Sequence, residues 1–277
     1  MFTLNCKGKL ITTEMPLVMG IINATPDSFY KGDLSKGSAG ILELAKKMVA
    51  DGADILDIGG LSTRPGSSAI SAEEEKKRVI PVIELIHHHF PETIISVDTY
   101  QSGVAAAAVK AGASMVNDIS GGNLDTEMIN VVSELNVPYV CMHMKGRPET
   151  MQQCAQYEDL VKEILDYFIA KIEKCKKAGI KDVIIDPGFG FAKNIEQNFI
   201  LLKNLSLFRM LDRPVLAGLS RKSTVYKTLG INPEEALNGT TVLNTLALNN
   251  GANILRVHDV KEAKEVVLLM GSYTFPG

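Results

Sequence analysis

Polar side chains recur in this chain at one kind of place, the carboxyl end of a short apolar run. Asn23 follows Leu17–Ile22, Asp57 lies within Asp54–Ile58, and Asp98 follows Ile94–Val97. Asn117 and Asp118 follow Ser114–Val116, His143 follows Pro138–Met142, and Asp186 follows Asp182–Ile185. Pro214–Leu219 leads into Ser220-Arg221-Lys222-Ser223, and Asn253–Val257 contains Arg256 and leads into His258 and Asp259. Any one of these could cap a helix or satisfy a buried backbone group. Eight together cannot be explained that way, because capping residues belong after a strand and not in its last positions. The types are informative as well. Asp98, Asn117 and Asp186 can pair along the flat edge of a heterocycle rich in N–H groups. Ser62-Thr63-Arg64, Lys222, Arg256 and His258 combine cations with hydroxyl and backbone donors, the chemistry of a phosphate site. The pattern fits a ligand with a flat polar ring at one end and an anion at the other.

The eight apolar runs are each long enough for a strand and too short for a helix. Between them lie stripes at helical spacing. One is Ile41, Leu44, Ala45, Met48 and Val49; a longer one is Leu160, Val161, Ile164, Leu165, Phe168 and Ile172, with Lys and Glu opposite. Gly52-Ala53-Asp54, Gly112-Ala113-Ser114 and Gly251-Ala252-Asn253 each close a helix and open a strand, glycine supplying the left-handed cap. Alternating strand and helix imply a parallel sheet. Eight such units with no Pro/Ser-rich linker predict an α/β fold, a single (β/α)8 TIM barrel, whose strand ends converge at one mouth. An open doubly wound sheet would want fewer strands and a glycine-rich first turn. Ahead of the barrel, Phe2–Thr13 alternates around Lys7-Gly8 and predicts a short N-terminal β-hairpin, placed as a plug under the main fold. The expected organisation is one domain over 1–277, with a hairpin at 1–13, a barrel at 14–270 and a tail at 271–277.

The chain has 277 residues, enough for two modest domains or one barrel of this kind. Its 29 basic and 32 acidic residues give a net charge of −3, so no basic excess exists to neutralise a nucleic-acid backbone. Cys6, Cys141, Cys154 and Cys175 are scattered and form no C-x-x-C, which reads as reduced thiols in a cytoplasmic protein. No stretch of apolar residues is long enough to span a membrane, and the first residues contain no signal-peptide core. Three motifs are discounted. Gly188-Phe189-Gly190 lacks the third glycine of a dinucleotide turn, and Gly218-Leu219-Ser220-Arg221-Lys222-Ser223 lacks the glycine spacing of a phosphate loop. His87, His88 and His89 end a helical segment before Pro91, where a helix dipole and water account for them better than a metal does.

Taken in order, the motifs resemble a known family. Ile21-Ile22-Asn23-Ala24-Thr25-Pro26-Asp27-Ser28-Phe29 is similar to the first signature of the dihydropteroate synthases of folate biosynthesis, the targets of sulfonamides. Asp57-Ile58-Gly59-Gly60 with Ser62-Thr63-Arg64-Pro65-Gly66 resembles the second. The likeness continues through Ser96–Thr99, Val116–Gly122, Met142–Pro148, Asp186–Phe191, Ser220–Ser223 and Arg256–Val260, which covers all eight strands. One departure is Leu61, where the family usually carries Glu or Gln.

The resemblance implies a transferase that condenses 6-hydroxymethyl-7,8-dihydropterin pyrophosphate with p-aminobenzoate, in a dissociative, SN1-like substitution. It implies Mg²⁺ and a homodimer formed through outer helices. Carried over position by position, Asp98, Asn117, Asp186 and Lys222 would read the pterin edge, Arg256 would flank the ring, and Met142 and Phe191 would wall it. Asn23 would hold Mg²⁺ and the pyrophosphate, with Thr63, Arg64, Arg256 and His258 on phosphate oxygens. Ser223 would take the benzoate carboxylate in a pocket completed by Thr25, Pro26, Phe29 and Pro65. Asp98, Asp186, Lys222 and Arg256 would be the catalytic set. The layout agrees with the chemistry, since C–O cleavage puts negative charge on pyrophosphate and positive charge on the pterin methylene. An arylamine is neutral and nucleophilic at pH 7, so no general base is required. Two alternatives stay open on sequence alone: a pterin-binding methyltransferase domain, which would need neither Thr63-Arg64 nor Lys222-Ser223, and a catalytically silent pterin-binding paralogue.

Overall fold

The computed structural model describes residues 1–24, 38–61 and 70–274. Its first element is an antiparallel hairpin, β1 (Thr3–Cys6) and β2 (Lys9–Thr12). Lys7 and Gly8 between them take positive φ values of 54° and 92°, the turn whose twist matches a two-residue hairpin.

Eight parallel strands follow: β3 (Leu17–Asn23), β4 (Ile55–Gly59), β5 (Ile94–Asp98), β6 (Met115–Asp118), β7 (Tyr139–Met142), β8 (Val183–Asp186), β9 (Leu216–Ala217) and β10 (Ile254–Val257). Each pairs with its sequence neighbour, and β10 returns to pair with β3, Ile254 opposite Leu17. The ring closes between β8 and β9 through a single parallel bridge, Ile185 opposite Val215, where Ile185 N–H donates to Pro214 O at 2.9 Å. Here the expected strand 214–219 shrinks to two residues. Pro214 has no N–H to give the ladder, and the chain turns away after Gly218.

Around the barrel run α1 (Ser38–Ala50), α2 (Ala72–His89), α3 (Ser102–Ala111), α4 (Met128–Leu135), α5 (Leu160–Ala178), α6 (Ile195–Lys203), α7 (Ser223–Leu229), α8 (Leu237–Asn249) and α9 (Val260–Thr274). Local sequence sets their ends. Ser71 caps α2 by accepting from Glu74 N–H at 3.2 Å. The same helix has Glu73, Glu74 and Glu75 in its first turn and exposed His87, His88 and His89 in its last, complementing the helix dipole at both ends. Asn194 and Gln197 form a reciprocal capping box on α6. Gly52, Gly112 and Gly251 all have positive φ where helix gives way to strand, as the repeated Gly-Ala pairs predict. The tail expected from 271 begins instead as helix, because α9 runs through Thr274.

Strand alternation divides the core in two. Outward-facing Val18, Ile22, Leu56, Ile58, Ile95, Val97, Val116, Cys141, Ile185 and Val257 pack with the helices. Inward-facing Leu17, Met19, Ile55, Ile94, Met115, Val140, Ile184, Leu216 and Ile254 form a separate cluster at the amino ends of the strands. Leu4 and Cys6 of the hairpin complete that cluster, so β1 seals the barrel floor. The cysteines are unpaired; Cys6, Cys141 and Cys175 are buried.

Candidate active site

The same alternation that places Ile55, Ile94, Met115, Val140, Ile184, Leu216 and Ile254 on the inside applies two residues further along. There the inner surface changes character, to Asp57, Ser96, Asn117, Met142, Asp186, Gly218 and Arg256, with Gly59 and Asp98 above them on β4 and β5. The barrel thus carries an apolar floor and a polar layer directly over it.

Arg256 holds that layer together. Its Nε donates to Asp57 Oδ2 at 2.6 Å and its guanidinium donates to Asp98 Oδ2 at 2.5 Å. Asn117 Nδ2 donates to the same Asp57 oxygen at 2.9 Å. Opposite them, Asp186 Oδ1 accepts Gly188 N–H at 2.7 Å. Lys222 Nζ donates to Phe189 O at 2.5 Å and lies 4.9 Å from the centre of the Phe191 ring. Phe191, Met142, Met144, Met151, Ile119 and Ala192 form an apolar wall beside these charges. Two inward glycines keep space open. A Cβ at Gly59 would stand 3.4 Å from Asp98 Cβ, and one at Gly218 would stand 3.5 Å from Lys222 Nζ.

Burial governs the charges. It pushes the Asp98 carboxyl up to about 7; Arg256 pulls against that, and Asp57, Glu75 and Asp118 reinforce it. Burial also raises Asp186, with Lys222 and the Gly188 N–H opposing. The Lys222 ammonium is pushed down to about 8 by burial, against the attraction of Asp186. Burial works against the Arg256 charge too, but Asp57 and Asp98 outweigh it and hold the guanidinium above its ordinary range. Three carboxylates and two cations face one another here, with an apolar wall on one side.

The structure therefore brings together Asp98, Asn117, Met142, Asp186, Phe191, Lys222 and Arg256. Asn23 lies at the exposed end of β3 and His258 just beyond β10, both at the rim. His258 Nδ1 meets Ser220 Oγ at 3.0 Å; the crowding of its ring and the cations Arg256, Arg221 and Lys222 hold the imidazole below its ordinary range. Ser223 opens α7, half-buried and next in sequence to Lys222. Thr25, Pro26, Phe29, Thr63, Arg64 and Pro65 lie outside the described residues; Leu61, half-buried, is the last residue before the second of those segments.

Other polar strand ends serve the scaffold. Asp118 follows Asn117 and so faces outward, where it accepts from Ser120 and Gly122 N–H and from the Tyr139 hydroxyl. Arg221 forms a two-point pair with Asp259, 2.8 Å at each contact. His143 is buried against Tyr167, outside the polar layer. Asp57 and Glu75 have roles that the motif likeness does not assign. Asp57 is fully buried and anchors both Arg256 and Asn117; its signal was a carboxylate at the same strand level as Asn117. Glu75 on α2 is fully buried beneath Gly60, accepts from Gln101 Nε2 at 2.5 Å, and is pushed up to about 7 by burial. Nothing in its helical pattern separates it from the exposed glutamates beside it.

Comparison with known proteins agrees with this arrangement. The family model described as "Pterin binding enzyme" matches residues 19–258. The dihydropteroate synthase of Escherichia coli K12 is 41% identical over 263 residues, covering 94% of this chain and 93% of that protein. Among solved structures, a Yersinia pestis dihydropteroate synthase in complex with a sulfonamide drug superposes with a TM-score of 0.93 at 37% identity, covering 99% of each chain. A Xanthomonas albilineans dihydropteroate synthase in complex with 7,8-dihydropteroate superposes with a TM-score of 0.88 at 36% identity, covering 98% of this chain and 99% of that one.

Proposed function

The chain belongs to the pterin-binding enzymes and, within them, to the dihydropteroate synthases, and we propose that it joins 6-hydroxymethyl-7,8-dihydropterin pyrophosphate to p-aminobenzoate with release of pyrophosphate and 7,8-dihydropteroate. The observation that carries this reading is the polar layer itself. Asp98, Asn117, Asp186 and Lys222 are brought together on the inner face of one barrel mouth, with Met142 and Phe191 beside them.

In this reading the carboxylates of Asp98 and Asp186 and the amide of Asn117 hydrogen-bond the N–H-rich edge of the pterin, and the Lys222 ammonium donates to its carbonyl. Arg256 flanks the ring while Asp57 fixes its guanidinium from below. The C–O bond to pyrophosphate breaks ahead of bond formation, and Asp98 and Asp186 stabilise the positive charge spreading from the methylene into the ring. Arg64, Thr63 and His258 gather the departing phosphates, and a neutral imidazole at His258 can take up a proton as that charge arrives. The p-aminobenzoate carboxylate pairs with the Ser223 hydroxyl. Its amine attacks the methylene, and one proton leaves to solvent.

Mg²⁺ fits the rim. Among the described residues no group of three His, Cys, Asp or Glu side chains could cage a metal. Mg²⁺ accompanying a pyrophosphate needs only one or two hard protein oxygens beside phosphate and water, and the exposed amide oxygen of Asn23 supplies one. Bound there, the ion would neutralise leaving-group charge.

Two features support a homodimer. Val242 and Leu246 are 50% and 43% exposed and lie four residues apart on one stripe of α8, and Leu229 at the end of α7 is 54% exposed. The unpaired cysteines suit the reducing cytoplasm.

The decisive assay incubates purified protein with the pterin pyrophosphate, Mg²⁺ and radiolabelled p-aminobenzoate. Labelled pteroate is expected, in an amount that falls on chelation. A folded protein that binds the pterin and forms no product would be the silent paralogue, and the synthase reading would fail.

A further inference from the structure

The loop that joins β8 to α6 has an unusual backbone. Gly188, Gly190 and Ala192 all have positive φ, 74°, 82° and 48°, and alanine seldom adopts such a value. This alternation curls the chain around one side chain, that of Lys193, which is 2% exposed. Its Nζ donates to Gly188 O at 3.0 Å and to Phe191 O at 3.0 Å, and meets His143 Nδ1 at 3.1 Å. Three acceptors match the three N–H bonds of an ammonium, where a neutral amine has only two; burial pushes this ammonium down to about 7, against the attraction of Asp186. Accepting from Lys193 requires His143 to carry its proton on Nε2. Burial, together with Lys193 and Lys145, favours that neutral ring by pushing its pKa down to about 2.

The loop so organised reaches three members of the pterin site. Gly188 N–H donates to Asp186, Phe189 O accepts from Lys222, and the Phe191 ring lies beside the same ammonium. The turn admits no side chain at 188, since a Cβ there would fall 2.1 Å from His143 O. Resting on the pterin-transfer reading above, we propose that Lys193 is a positioning residue for pterin recognition. Its buried amino group, held by His143 and two carbonyls, fixes residues 188–192 so that Asp186, Lys222 and Phe191 address one ring. Among the described residues its polar contacts are to His143, Gly188 and Phe191, and none is to Ser223 of the p-aminobenzoate pocket assigned above.

Apolar substitution tests this. Lys193→Met keeps the length and loses the three donors. Calorimetric titration with the pterin pyrophosphate and Mg²⁺, in the absence of p-aminobenzoate, should show a Kd raised about tenfold or more. The KM for p-aminobenzoate at saturating pterin should stay within about twofold. A folded Lys193→Met protein with unchanged pterin Kd would overturn the proposal, and so would a p-aminobenzoate KM that rises in step with the pterin Kd. If that variant does not fold, His143→Phe gives the same reading. It keeps the ring edge-on to Tyr167, 4.9 Å between centres, and removes one acceptor. About a threefold loss of pterin affinity is expected, and none would overturn the proposal. Should the wild type bind pterin yet make no pteroate, the assigned reaction falls while the Lys193 comparison, read from binding alone, still stands or fails by itself.

Discussion

Replacing Asp98 by Asn separates what the polar layer does for the ligand from what it does for the fold. The folded protein holds this carboxyl at about 7, against an ordinary 3.8. The native state therefore binds the proton more tightly than the unfolded chain. Stability from this group falls as pH rises from about 4 to about 7 and stays lost above that. At pH 8 the ionised side chain opposes folding by something on the order of 2 to 4 kcal/mol. An amide of the same shape carries no such cost, still offers Arg256 an oxygen, and leaves the Arg256–Asp57 pair at 2.6 Å in place. Thermal unfolding at pH 8 should therefore give Asp98→Asn a Tm equal to or above that of the wild type. At pH 4 the advantage should vanish. Binding should move the other way, because the pterin edge loses a charge-assisted hydrogen bond worth about 1.5 to 3 kcal/mol. That is about a 10- to 150-fold weaker Kd in calorimetric titration with the pterin pyrophosphate. A variant destabilised by about 3 kcal/mol, the usual cost of stranding a buried charge, would refute the reasoning by making Asp98 a structural anchor. So would a variant that binds pterin as well as the wild type.

Asp57→Ala should behave in the opposite sense. It leaves Arg256 Nε and the Asn117 amide without their shared acceptor, and denaturant titration should show a loss of about 3 kcal/mol. The pH profile of kcat/KM for the pterin substrate should rise through about 7 as Asp98 ionises and fall through about 8 as Lys222 loses its proton. Asp98→Asn should erase the acid limb of that profile. Leu4→Ala, beneath the barrel and 2% exposed, should cost about 2 to 4 kcal/mol in stability with no change in pterin Kd, since the floor and the polar layer are separate levels.

Alternation decides which of these features could be read from the sequence. Eight runs ending in polar residues point to a barrel with one reactive mouth, and Asp98, Asn117, Asp186 and Arg256 do meet there. Adjacent residues at a strand end face opposite ways, however, and the position of the last polar residue does not reveal its side. Asn117 thus enters the barrel while Asp118 turns out to Tyr139. Lys193 was beyond reach for another reason. A lysine near the start of a helix reads as a solvated charge, and its burial depends on three positive-φ residues curling the preceding loop. The two-residue β9 was equally illegible, because apolar content in 214–219 reports burial and not ladder length.

The pairing of β10 with β3 has a consequence for how the molecule is made. Leu17–Gly20 leaves the ribosome long before its partner Ile254–Val257. Until β10 is made, one edge of β3 has no strand to pair with, and the hairpin that should seal the floor has no completed ring to seal. The ring can close only once β10 has emerged, and the nascent chain depends until then on whatever shields an open, apolar edge from other nascent chains.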